Sequence, residues 1–242
     1  LHSKFKIYNT NNLKFHITRS IINVPMMILG FAALMYIPLE EIKAIGFLSP
    51  IIVVILSVLI LKERIFLIRI FALCVGFAGV IIILRPGIIE INIGSYMVLS
   101  SALMWSTVII ITKIMSKEDS PMTILTFQYT FVSLFTLPLA IIYWSSPSYN
   151  CLIYCIFSAI TGTILHLCIN NSYKLADLSI IQPVWFTQLL FASFFGFTIF
   201  GEIPDGWTWA GGILVFSSVL IITYRENYLK KDIAKKSIPQ KN

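Results

Sequence analysis

The chain has 242 residues and a formal net charge of +7, with 57% hydrophobic residues, only 12% charged residues and a mean hydropathy of +0.87. A soluble domain carries about 25% charged residues, so this chain has too few polar side chains to cover a globule in water. The composition excludes a soluble globular protein and indicates an integral membrane protein whose solvent is the lipid bilayer.

Eight long apolar runs follow one another along the chain. A helix needs roughly 20 mostly apolar residues to cross about 30 Å of hydrocarbon, and each run approaches or exceeds that length. The runs are too uniformly apolar for the strands of a membrane barrel, which alternate in hydrophobicity over about 10 residues. We predict an all-α, polytopic helix bundle with spans at 20–39, 42–61, 65–84, 91–112, 121–144, 151–173, 178–201 and 206–224.

The basic residues lie on one side of these spans. If residue 1 is cytoplasmic and the spans alternate in direction, every Lys and Arg except Lys43 and Arg85 falls at a cytoplasmic end. The positive-inside rule then places both termini in the cytoplasm. The positive charge therefore indicates topology, and nucleic acid is not an expected partner. Residues 1–19 are predicted to be a cytoplasmic segment, and residues 225–242 a disordered, basic cytoplasmic tail.

Two stretches of the sequence resemble each other. Residues 39–83 and 178–222 align without a gap, with Leu39 on Leu178 and Glu63 on Glu202. Each stretch is an apolar helix, a short turn with one glutamate and a second apolar helix, and each glutamate is expected to accept hydrogen bonds from turn donors. The predicted topology inserts the two units in opposite senses. An inverted repeat of this kind is typical of secondary transporters that work by alternating access.

The repeat accounts for the eight runs only in part. The first three runs correspond to the last three, so runs four and five would correspond to two helices ahead of the first run. We therefore expect an inverted five-plus-five protein that lacks its first two helices here, with an incomplete first repeat at 20–84 and a second repeat at 91–224. A truncated, non-transporting remnant of a carrier is the alternative.

The longest patterns resemble a known family. The stretch "IPLEEIKAIGFLSPIIVVILSVLILKERIFLIRIFALCVGFAGVIIILRPG" resembles the first-half signature of EamA-type carriers of the drug/metabolite transporter superfamily. The stretch "IIQPVWFTQLLFASFFGFTIFGEIPDGWTWAGGILVFSSVLIITYRE" resembles the last two helices of a bacterial subgroup with S-adenosylmethionine uptake carriers. The resemblance implies a carrier of small organic metabolites in the bacterial cytoplasmic (inner) membrane, with a cavity between its halves.

The resemblance also implies what the carrier binds. Its solute would be S-adenosylmethionine or another amino-acid-like or nucleoside-like molecule, and no cofactor is expected. A homodimer is an open alternative to a monomer.

Charged residues precede the second span. Glu41 falls where the family pattern often has an acidic residue, and we predict that Glu41 and Lys43 face the outer mouth of the cavity and contact a zwitterionic solute. The alternative is that Glu40, Glu41 and Lys43 only mark the boundary between a buried helix and water, where a charge costs little.

The other candidate substrate-binding residues lie within the spans. His166 and Asn170 share one helix face, and they are predicted to point into the bundle because polar groups in hydrocarbon need partners. His166 either contacts the solute or hydrogen-bonds a neighbouring helix, and a proton-relay role is open. Aromatic walls with a few amides suit an adenosyl or amino-acid solute. The remaining candidates are Trp105, Gln128, Tyr129, Gln182, Trp185 and Gln188.

The sequence lacks the common motifs of enzymes. It has no phosphate-binding glycine loop, no H-E-x-x-H pattern and no nucleophile elbow. Cys151 and Cys155 have no His or Asp companions at ligand spacing, so no metal site is predicted. A membrane-embedded transferase is the remote alternative to a carrier. Pro25, Pro50, Pro138 and Pro183 each remove a helix hydrogen bond and are expected to kink or hinge their helices, with tolerated kinks as the alternative.

Overall fold

A computed structural model describes residues 10–37, 39–63, 65–85, 92–201, 203 and 206–236. Within these ranges the protein is helical and has no strand, which confirms the all-α prediction. The helices are α1 (Leu13–Ala32), α2 (Leu39–Gly46), α3 (Ser49–Leu61), α4 (Leu67–Leu84), α5 (Ile93–Met115), α6 (Pro121–Ile142), α7 (Tyr149–Leu175), α8 (Leu178–Ile181), α9 (Gln188–Phe200) and α10 (Gly206–Lys236), with 3₁₀ turns at Ala33–Met35 and Gln182–Thr187.

Eight helical stretches in the described part of the chain are long and apolar enough to cross a membrane, as predicted. Their ends differ from the prediction in two places. Helix α1 begins at Leu13, within the segment assigned to the cytoplasm, and α10 continues to Lys236, where a disordered tail was expected. The Leu, Lys, Glu and Ala residues of that tail are strong helix formers, so the backbone continues as a helix past the apolar run.

Proline residues break two of the spans. Pro50 lies in the first turn of α3, where its missing N–H leaves no helix hydrogen bond unmade, and α2 ends just before it. Pro183 lies in the first turn of the 3₁₀ segment between α8 and α9. By contrast, α1 and α6 continue through Pro25 and Pro138. The two broken spans are the ones that correspond in the predicted repeat.

Glycine residues bring α4 and α10 into backbone contact. A Cβ added at Gly79 would lie 2.7 Å from the carbonyl oxygen of Gly211, and a Cβ added at Gly211 would lie 2.6 Å from that of Gly79. Val80 and Val215 are buried beside this contact, together with Phe186 of the 3₁₀ turn. The last helices of the two predicted repeats therefore pack as one pair.

The remaining helices surround α1 and α5. Helix α1 packs along α5 and α6, and α3 packs on α5. Helix α7 contacts α6 and α5, and only Asn170 and Tyr173 of its residues are buried. Large apolar side chains such as Leu59, Phe157 and Phe194 are exposed, as expected for residues that face lipid. The inverted-repeat relation and the two further helices stay predictions.

Candidate functional site

A cavity of about 320 Å³ lies inside the bundle, toward the end that carries α2. Its walls come from α1, α2, α3 and α5, and from the 3₁₀ turn and α9. Both broken spans therefore line the cavity, and broken helices beside the binding site are typical of secondary transporters. Of the predicted substrate residues, the structure brings together Lys43, Trp105, Gln182, Trp185 and Gln188.

The cavity wall is mostly apolar, with a few polar groups. Trp105 and Trp185 are half-buried in this wall. Oγ of Ser101 donates a hydrogen bond to the carbonyl oxygen of Met26 at 2.9 Å, so this hydroxyl already has a partner within the wall. Gln182 is only 1% exposed, and its Nε2 has no hydrogen-bond partner among the described residues. A buried donor without a partner costs about 1–3 kcal/mol. Gln182 thus holds an amide donor available to a polar group in the cavity.

Helix α2 separates the two charged residues predicted at the cavity mouth. Lys43 is exposed and lines the cavity, whereas Glu41 is half-buried and is not among the lining residues. Residues two positions apart on a helix point in different directions, so α2 does not turn both side chains toward one space. The side chain of Glu40 lies outside the described part of the structure. Only Lys43 of the predicted pair therefore reaches the cavity.

The other four predicted residues form a second group on α6 and α7. Gln128 is buried, and its Oε1 accepts a hydrogen bond from Nη2 of Arg19 at 2.6 Å. The rings of Tyr129 and His166 meet edge to face, with their centroids 6.2 Å apart. Asn170 is 1% exposed and lies one turn after His166 on the same face of α7. None of the four is among the residues that line the cavity.

A buried polar stripe on α1 was not predicted. His16 Nε2 lies 3.0 Å from Asp119 Oδ2, and the same carboxylate oxygen accepts a hydrogen bond from Thr10 Oγ1 at 3.0 Å. The predicted span began at Ser20, and Arg19 was interpreted only as a topology signal. The helical spacing i, i+3, i+4, i+7 in "HITRSIIN" could have identified the stripe. Its buried members are His16, Arg19, Ser20 and Asn23.

Hydrogen bonds between charged and polar groups connect the helices at the end opposite α2. Nη1 of Arg69 donates to Asp177 Oδ2 at 3.1 Å and to Ser179 Oγ at 2.8 Å. The backbone N–H of Leu178 donates to Glu63 Oε1 at 3.3 Å, so Glu63 accepts from a turn donor. Its predicted counterpart Glu202 lies outside the described residues. These bonds tie α3 and α4 to the junction of α7 and α8.

Lys113 joins α5 to the same junction. Its ammonium donates to the backbone oxygens of Tyr173 and Ala176, each at 2.6 Å. Lysine near a helix C-terminus satisfies backbone carbonyls that have no partner within the helix. Three helices of the first half of the chain thus converge on residues 173–179.

Comparison with known proteins identifies the family to which this chain belongs. The profile of the EamA-like transporter family matches residues 1–85 and 92–224. The chain belongs to that family. Its members named below are bacterial transporters, so the protein is a small-molecule carrier that crosses a bacterial membrane several times.

Individual relatives of this EamA-like carrier transport two different solutes. A riboflavin transporter of Vibrio cholerae is 29% identical over 219 residues, which are 90% of this chain and 74% of that protein. S-adenosylmethionine uptake transporters of Rickettsia prowazekii and Rickettsia bellii are each 25% identical, covering 82% and 95% of this chain and 67% and 79% of theirs. A chain of known crystal structure has the same fold, with a TM-score of 0.75 at 15% identity, and the match covers 89% of this chain and 78% of that one.

The cavity of the EamA-like carrier is lined by aromatic, amide and ammonium groups. The described residues contain no group of three or more His, Cys, Asp or Glu that could hold a metal ion. The cavity presents two indole rings, two glutamine amides and one ammonium group. Such a set can stack on a planar solute and hydrogen-bond its edges.

Proposed function

We propose that this protein moves a planar, heterocyclic metabolite across the cytoplasmic membrane by alternating access, with S-adenosylmethionine as the first candidate solute. The observation that carries the proposal is the cavity enclosed by both broken spans, with Trp105 and Trp185 in its wall. An apolar wall with a few placed polar groups is the usual form of a small-molecule site.

Riboflavin is the second candidate, and the Vibrio cholerae relative favours it. Both solutes contain a flat, nitrogen-rich ring system that stacks on indole and exposes acceptors and donors at its edge. Gln182 and Gln188 would bind those edge groups, and Lys43 would contact the solute as it enters. Glu41 has no such role in the proposal, because it does not line the cavity.

The asymmetry of the bundle supports alternating access. The cavity reaches the surface beside the exposed Lys43, while hydrogen bonds to Asp177 and Glu63 close the opposite end. If both termini are cytoplasmic, as the basic residues predict, the cavity opens outward in this structure. The inward-open state would then require the bonds at residues 173–179 to break.

Uptake of radiolabelled solute into bacterial cells tests the proposal. Cells that express the protein should accumulate either S-adenosylmethionine or riboflavin above cells with an empty vector. Trp185→Ala should reduce that uptake by about tenfold or more, because a stacked ring contributes about 1–3 kcal/mol. Trp207→Ala is the matched control, since Trp207 is 59% exposed on α10 and should leave uptake unchanged.

The amount of protein in the membrane is measured for each variant, so that a folding defect is not read as a binding defect. Absence of uptake of both solutes, with normal membrane insertion, would overturn the proposed solute class and favour a non-transporting remnant. Equal loss in Trp185→Ala and Trp207→Ala would show that the cavity is not the binding site.

A further inference from the structure

The guanidinium of Arg19 is buried in the bundle with little to neutralise it. Arg19 is 4% exposed, and its Nη2 donates to the neutral Oε1 of Gln128. Among the described residues its Nε and Nη1 have no hydrogen-bond partner, and no carboxylate lies within salt-bridge distance of it. Arginine keeps its charge at neutral pH, and a buried charge without a counter-charge is strongly unfavourable. This arrangement favours a site for an anion.

Helix α7 carries further buried donors, and two of its side chains interact electrostatically with the same guanidinium. The hydroxyl of Tyr173 lies within electrostatic range of Arg19, as does the ring of His166. Tyr173 is 2% exposed and Asn170 is 1% exposed, and neither Tyr173 Oη nor Asn170 Nδ2 has a partner within the described chain. His166, Asn170 and Tyr173 follow at i, i+4 and i+7, so all three lie on one face of α7.

The titratable groups around Arg19 leave its charge uncompensated. On α1, His16 lies one turn earlier and is paired with Asp119, so that carboxylate is already engaged. On α6 the facing group is the amide of Gln128, and on α7 the facing groups are His166 and Tyr173. Among the described groups, Asp119 is engaged by His16 and no carboxylate pairs with Arg19.

Trp105 connects this group of donors to the cavity. It lines the cavity and also packs against the apolar cluster that contains Tyr173, together with Val53, Ile109 and Ile110. The cluster therefore joins the wall of the cavity to Tyr173, one of the buried donors.

We propose that Arg19, Tyr173 and Asn170 form an anion subsite that binds the carboxylate or phosphate oxygens of the transported solute. The subsite rests on the proposed function and narrows it, because it specifies a solute with an anionic oxygen group in addition to a flat ring. Guanidinium, phenol and amide N–H groups form charge-assisted hydrogen bonds to such oxygens. Gln128 holds the guanidinium in position through its bond to Nη2.

Two matched pairs of solutes test the subsite on the purified protein. S-adenosylmethionine is compared with decarboxylated S-adenosylmethionine, and riboflavin 5′-phosphate with riboflavin, by isothermal titration. The wild type should bind the anionic member of at least one pair about 10- to 100-fold more tightly than its partner. If the protein prefers the anionic member of the first pair, the subsite binds a carboxylate. If it prefers the anionic member of the second pair, the subsite binds a phosphate.

Variants separate recognition from packing. Arg19→Gln should abolish the preference and leave affinity for the solute without the anion within about twofold, and Arg19→Lys should retain part of it. Tyr173→Phe removes one hydroxyl without changing the shape of the ring and should reduce the preference about threefold to tenfold. Arg85→Gln, at an exposed position after α4, is the control for loss of a positive charge and should leave the preference intact.

The outcomes distinguish the two proposals. If Arg19→Gln weakens both members of a pair equally, or if the wild type binds both equally, the anion subsite is wrong while the proposed transport stands. If the wild type binds none of the four solutes, the proposed solute class fails and the subsite with it. A preference lost in Arg19→Gln and reduced in Tyr173→Phe supports both.

Discussion

Gln182 shows how a single residue can be unfavourable for folding and still suit a binding site. Its side chain is 1% exposed, and its Nε2 has no partner in the described part of the protein. In a bundle surrounded by lipid, such a donor costs free energy that an apolar residue of similar size would not. A residue that lowers stability in this way is expected where the missing partner comes from a ligand.

Gln182→Leu should therefore separate stability from transport. We expect the variant to melt at a temperature equal to or above that of the wild type, with a gain of up to about 1–3 kcal/mol, while solute uptake falls by about tenfold. Thermal unfolding in detergent and cellular uptake are the two measurements.

Gln188→Leu provides the control for stability, because Gln188 is exposed and the change removes no buried donor. A large fall in the melting temperature of Gln182→Leu would contradict the prediction and show that the amide holds the bundle together.

For the helices, the sequence predicted the positions of the spans better than it predicted which of their faces carry buried polar residues. Proline removes a backbone donor, so a kink or break was expected at all four prolines, but the helices are broken near Pro50 and Pro183 and continue through Pro25 and Pro138. The structure turns Lys43, and not Glu41, toward the cavity. Which face of α2 lines the cavity depends on its packing against α4 and α5, and a short charged run does not predict that face. Arg19 was not predicted to be a buried polar residue, because the first predicted span was taken to begin after its charge, at Ser20.

The contact between α4 and α10 leads to a prediction about the stability of the protein. Gly79→Ala should destabilise the protein by about 1–3 kcal/mol, because the new methyl group would meet the carbonyl oxygen of Gly211, a backbone atom that cannot move alone. The expected result is a lower melting temperature in detergent and less protein in the membrane.

Gly162→Ala is the matched control within α7. A Cβ added at Gly162 meets no atom within 4 Å, so this variant should be as stable as the wild type or more stable by up to about 1 kcal/mol. Equal destabilisation by both substitutions would contradict the assignment of the α4–α10 contact.

For the whole molecule, the composition alone was enough to predict a membrane protein. The contacts between distant parts of the chain could not be predicted in the same way. The eight spans followed from long apolar runs, since only helices and closed barrels satisfy their backbone hydrogen bonds in lipid and these runs do not alternate as barrel strands do. The bonds from Arg69, Glu63 and Lys113 to residues 173–179 join positions that are far apart in the chain, and no local pattern predicts them. The hydrogen bonds at this end of the bundle are therefore a finding of the structure.

The orientation in the membrane is a prediction for the whole molecule. Green fluorescent protein fused after Asn242 should fluoresce, and alkaline phosphatase fused at the same place should be inactive, because both tests report a cytoplasmic C-terminus. Fusions in the loop at 144–148, which is expected outside, should give the reverse result. The opposite pattern at both sites would show that the cavity opens toward the cytoplasm in this structure.

The glycine contact between α4 and α10 also limits how the protein can move. With Gly79 and Gly211 in backbone contact, these helices cannot slide or rotate past each other without a clash. They end the two predicted halves, so we expect them to stay together as one unit while other helices move during transport. Spin labels on the exposed Phe71 of α4 and Leu220 of α10 should therefore keep one distance when solute is added. Labels on α2 and α6 should report two distances, whose populations follow the transport cycle.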